Sequence, residues 1–215
     1  MLFLVYMFNR WGRRVFSGFN RFLQNKPPDY ATRMLISINI GVFAGWSLLS
    51  PSFMKRHFVL SEFNTIDQQR YYTIVTSSVS HYNTWDLAVN MLGLWFFGRH
   101  LELLWGSATL LKLYLAGAFG GFTGVWWSCH WGGQRWAIPE RLGASAATYA
   151  IYAFFMLSDP WATVILFIVP MPALVAGVVI LALSNSQQDI SNNGHLGGAV
   201  AGGLYYLARK ALFRF

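Results

Sequence analysis

Ser145 and His195 are the residues of this chain whose types could together carry out nucleophilic chemistry, and each stands at the start of a long apolar run. Ser145 follows Gly143-Ala144 and opens the run that continues to Leu157; His195 sits in Gly194-His195-Leu196-Gly197-Gly198. A serine hydroxyl is a weak nucleophile until a neighbouring base takes its proton. An imidazole does this near neutral pH. Two further polar residues, His81 and Asn90, lie nine positions apart around the start of an earlier apolar run. Taken singly, each has a plain packing explanation, since small hydroxyl residues in spanning helices usually pack or hydrogen-bond. A histidine in lipid is costly and marks function more often.

The elements that must position these residues are membrane helices. The chain has 215 residues, 55% of them hydrophobic and 11% charged, where a soluble domain carries about 25% charge. Its mean hydropathy of +0.39 comes from long apolar runs, so a soluble domain is excluded and an all-α membrane protein is expected. Six spanning segments are predicted, roughly 34–49, 85–104, 109–128, 143–157, 161–183 and 195–213. The fourth is short for a full span at about 1.5 Å per residue, which leaves room for a watery pit above its start. Residues 33–215 then form one six-helix domain. Ahead of it lies a basic amphipathic segment, 1–32, with Phe8, Trp11, Val15, Phe19 and Phe22 on one face and Arg10, Arg13, Arg14 and Arg21 on the other. It reads either as an interfacial anchor or as a mitochondrial address, and Pro27-Pro28 ends it.

Charge gives the sidedness. Six spans put both termini on one face, where eleven Lys and Arg fall against five in the opposite loops. The positive-inside tendency then places the termini inside and brings Ser145, His195, His81 and Asn90 to one depth at the outer face. The net charge of +8 reads as basic flanks against anionic lipid, not as a nucleic-acid surface. The single cysteine, Cys129, excludes an internal disulfide, and Cys129-His130 lacks metal-ligand spacing. No metal and no cofactor is implied.

From about residue 70 to 206 these motifs resemble the rhomboid family of intramembrane serine proteases. The matching features are Arg70-Tyr71-Tyr72-Thr73, the His81 and Asn90 pair, Glu102 with Gly106-Ser107, Gly143-Ala144-Ser145, Tyr149, and His195 with Gly198 and Gly202. The resemblance implies Ser145 as nucleophile and His195 as base. Tyr149, four residues after Ser145 on the same helix face, would stack on His195. Gly198 and Gly202 would let the last helix approach the Ser145 helix closely. His81, Asn90 and the Ser145 amide would stabilise the oxyanion. The run 76–81 and Gly194–Gly198 lean toward the mitochondrial branch, which implies an inner-membrane location.

Two departures fall in the site. Asp86 stands where the family has a second histidine. An ionised carboxylate about 4 Å from the oxyanion costs about 4 kcal/mol, or roughly a thousandfold in rate, whereas a protonated one donates a hydrogen bond. Ala146 replaces the last glycine of the serine motif. Its methyl is expected to push the last helix away, and a shift on the order of 1 Å costs about a hundredfold. Two functions follow. One is an endopeptidase that cuts single-span membrane proteins in the bilayer. The other is a catalytically inactive rhomboid-like subunit, structural or translocating, of a mitochondrial inner-membrane complex. A transporter fits less well, because no inverted repeat is evident and intramembrane charges are few.

Overall fold

The computed structural model describes residues 18, 22–23, 25–131, 137–166, 168–185 and 190–213. Most of the basic segment 1–32 lies outside the described residues. Helix α1 (Tyr30–Leu48) begins just after Pro27-Pro28 and is followed by the short α2 (Pro51–Phe58). A single helical turn, Thr73–Thr76, leads through 77–81 into α3 (Thr84–Gly93), which continues through a π-helical turn into α4 (Arg99–Trp105). Helix α5 (Ser107–Trp131) is the longest of the described helices. Then come α6 (Ser145–Ser158), a two-stranded hairpin of β1 (Thr163–Leu166) and β2 (Val169–Pro172), α7 (Ala173–Asn185) and α8 (Ile190–Phe213).

Among the described residues, α1 and α5 are long and apolar enough to cross a bilayer, and α6 is a shorter apolar helix. Leu94, Leu101, Leu110, Leu113, Ile151 and Phe154 form the core between α3–α4, α5 and α6. The outside is equally greasy. Leu92, Phe96, Leu104, Trp127, Leu157 and Leu204 are all exposed, a surface that lipid covers and that water would penalise.

The expected continuous span over 161–183 is a correction. Residues 163–172 form an antiparallel hairpin that pairs Thr163 with Pro172 and Ile165 with Pro170, and the helix begins only at Ala173. Prolines 170 and 172 lack the amide that a helix interior needs and are tolerated at a strand edge. The β-branched Thr163, Val164, Ile165 and Val169 favour the pleat.

The start of α1 is capped from a distance. The carboxylate of Glu102 on α4 accepts from the amides of Ala31 at 2.8 Å and Thr32 at 2.9 Å, from the Thr32 hydroxyl at 2.6 Å and from the Ser107 hydroxyl at 2.6 Å. Two orphan amides of α1 are thereby satisfied, and the starts of α1 and α5 are tied to one buried side chain of α4. Glu102→Gln turns one acceptor into a donor that faces donors. It is expected to lower stability by about 2 kcal/mol, read as a lowered melting temperature of the detergent-solubilised chain.

Candidate active site

Packing of glycine on backbone brings the two halves of the site together. A Cβ on Gly198 of α8 would fall on the Ala146 carbonyl of α6, and one on Gly202 would fall on the Ala150 carbonyl. Gly197 meets Gly120 of α5 in the same way. With no side chains between them, α5, α6 and α8 approach to backbone contact, the geometry that small residues allow in membranes. This approach carries His195, in the second turn of α8, to Ser145, the first residue of α6. His195 Nε2 lies 2.9 Å from Ser145 Oγ. The imidazole stacks on Tyr149, with ring centroids 4.5 Å apart and planes 2° from parallel.

Ala146 does not act as expected. Its methyl is directed at Gly121 of α5, where a side chain would overlap it. Its backbone, and not its methyl, meets α8. The last helix is therefore not displaced, and the hydrogen bond to Ser145 forms. Gly121 is the packing partner that residue spacing alone does not assign to Ala146. Its signal is the three- and four-residue spacing of Gly117, Gly121 and Gly124, which reads as packing and here receives one particular methyl.

The chain ahead of Ser145 is held by the segment 77–81. That segment is itself pinned, with the Tyr114 hydroxyl donating to Ser78 O at 2.6 Å and Trp46 Nε1 to Ser80 Oγ at 2.9 Å. The Gly143 amide donates to Ser77 O at 2.9 Å, and the Ala144 amide to His81 Nε2 at 3.2 Å. Gly143 has φ +132°, a conformation that glycine alone adopts freely. The Ser145 amide, at the first position of α6, has no acceptor within its own helix and lies at the positive end of the dipole.

His81 and Asn90 reach the site in roles other than the expected donors. His81 is fully buried. Loss of solvation pushes its pKa down to about 4, so the ring is neutral and its Nε2 serves as acceptor for Ala144. The Asn90 amide donates to Asp86 O and Asp86 Oδ1, both at 2.9 Å, and its carbonyl accepts from Thr148 Oγ1 at 3.0 Å. The Asn90 amide is thus taken up by Asp86. Asp86 Oδ2 lies 4.0 Å from His81 Nε2, and the Asp86 side chain is 44% exposed.

Beside the dyad is a cavity of about 110 Å³ lined by Ser77, Phe122, Arg141, Gly143, Ser145 and His195, among others. That is room for several waters next to the nucleophile. A hydroxyl, a base, a stacked support and a water-accessible recess make up the parts of an acyl-transfer site.

Residues 68–210 match the Rhomboid domain family model. RHOMBOID-like protein 12, mitochondrial, of Arabidopsis thaliana is 35% identical over 93% of this chain and 66% of its own length. Rhomboid protein 1, mitochondrial, of Saccharomyces cerevisiae is 31% identical over 83% of the chain and 53% of its own length. Presenilin-associated rhomboid-like protein A, mitochondrial, of Danio rerio is 27% identical over 80% and 45%. The chain thus spans about half to two thirds of the length of these relatives. With a family match over most of its length and a glycine-packed bundle that presents apolar side chains to its surroundings, the chain belongs to the rhomboid family and is an integral mitochondrial membrane protein.

Proposed function

We propose that this protein is a rhomboid-type serine endopeptidase of the mitochondrial inner membrane that cleaves single-span membrane proteins near the outer face of a six-helix bundle. The observation that carries this reading is the 2.9 Å contact between Ser145 Oγ and His195 Nε2, at the edge of a recess with room for several waters. His195 takes the hydroxyl proton as Oγ attacks a peptide carbonyl carbon, then passes it to the leaving amine. Tyr149 keeps the ring in place through both transfers. The oxyanion falls to the Ser145 amide. His81 and Asn90 hold the groups around it, His81 the Ala144 amide and Asn90 the Asp86 carboxyl.

A second reading is a catalytically inactive rhomboid-like subunit of an inner-membrane complex. It is favoured by the engagement of the Asn90 amide with Asp86, which leaves a carboxyl in place of a free donor. The two are separated by a fluorophosphonate probe applied to the folded, detergent-solubilised chain, followed by peptide mass spectrometry. A protease takes one phosphonyl group on Ser145. A folded protein that stays unlabelled from pH 5 to 8.5 is the inactive subunit.

A further inference from the structure

Gly143 leaves a small recess with polar walls. The point where a Cβ would stand has three nearest neighbours: Asp86 Oδ2 at 3.5 Å, Ser145 Oγ at 3.9 Å and the Ser145 amide nitrogen at 4.0 Å. Residues with side chains rarely adopt the φ of +132° found there, so the recess stays open. A carbonyl oxygen under attack by Ser145 and facing the Ser145 amide would enter this space. Its other wall is Asp86.

Two neighbouring donors are already engaged. The Ala144 amide is on His81 and the Asn90 amide is on Asp86. Among the described residues, Asp86 is bonded through Oδ1. Oδ1 accepts from Asn90, so any proton on this carboxyl resides on Oδ2, the oxygen turned to the recess. We infer that Asp86, protonated on Oδ2, is the second hydrogen-bond donor to the oxyanion, with Asn90 as the positioning residue that selects this oxygen, so that catalysis requires a protonated carboxyl and a neutral imidazole at once. This inference rests on the protease reading of the same site. The step balances: the Ser145 proton goes to His195 as the Oγ–C bond forms, the carbonyl electron pair moves to oxygen, and Asp86 keeps its proton while donating. The proton on His195 leaves with the amine.

The pH consequence follows from the groups that face Asp86. His81, neutral, lies 4.0 Å from Asp86 on the preceding loop, and His195 and Arg141 line the adjoining cavity. Raising the pH ionises Asp86, whose charge then repels the oxyanion, so the wild-type rate falls toward high pH.

The test is the rate of fluorophosphonate labelling from pH 5 to 8.5 for wild type, Asp86→Asn and Asp86→Ala, each checked for folding by its melting transition. Asparagine keeps a donor without a titrating proton. Asp86→Asn should label about a hundredfold faster than wild type at pH 8, the worth of one oxyanion donor, and its rate should rise with pH to a plateau. Asp86→Ala should share that plateau shape at a rate well below Asp86→Asn. Equal rates for the two variants would show that only charge removal matters and overturn the donor role. So would an Asp86→Asn profile that falls with pH as wild type does. Absence of label on all three at every pH would overturn the protease reading together with this one.

Discussion

Ser145→Ala, His195→Ala and the double substitution are expected to lower proteolysis to the same residual rate, a loss of about 10³-fold or more. Each single change leaves the other half of the dyad without a partner. Without His195, the Ser145 hydroxyl keeps its proton in the attack. Without Ser145, the imidazole at 2.9 Å has nothing to activate. Because the pair acts as a unit, removing the second member costs nothing more. The measurement is the initial rate of cleavage of a fluorescently tagged single-span model protein in proteoliposomes. Additive losses would mean that the two residues act separately, and the proposed chemistry would fail. The substitutions are also mild structurally. Ser145 is half-buried at a helix start, and Tyr149 bounds the space that His195→Ala opens, so a loss of activity with an unchanged melting transition isolates the chemistry from the fold.

What was legible in the sequence was whatever depends on residue type and short spacing. Ser145 and Tyr149 share a helix face because they are four apart, and the observed stack of Tyr149 on His195 follows from that spacing. Gly198 and Gly202 share one for the same reason, and both meet α6. What was not legible depends on a third partner. Ala146 was expected to wedge against the last helix, but the direction of a methyl around a helix axis is decided by all its neighbours, and Gly121 of α5 supplies its space. His81 and Asn90 lie near Ser145, in contact with Ala144 and Thr148. Which of their atoms donate, and to what, is set by the Ala144 amide and the Asp86 carboxyl, which spacing alone does not orient. The segment 161–183 misleads because its hydropathy suits a span, while Pro170 and Pro172 deny it a helical start before Ala173.

Gly198→Ala is expected to separate the dyad with a single methyl. The added Cβ would lie on the Ala146 carbonyl and against its Cα, both rigid backbone of α6, so no side-chain rotation relieves the overlap and α8 must back off. Overpacking of this kind costs up to about 3 kcal/mol. A retreat on the order of 1 Å stretches the contact between His195 and Ser145 beyond hydrogen-bonding reach and lowers the rate by about a hundredfold. Gly203→Ala, one residue on, is the control. Its Cβ would meet only Leu157 Cδ1 at 3.6 Å, an ordinary contact with a flexible side chain. Alanine is the better helix former by about 1 kcal/mol, so this variant should melt no lower than wild type and cleave at the wild-type rate. If the two variants behave alike, the approach of α8 to α6 is not what sets the distance between base and nucleophile. If they diverge as expected, the glycine at 198 serves catalysis without touching the substrate, by allowing two helices to meet where their reactive side chains must.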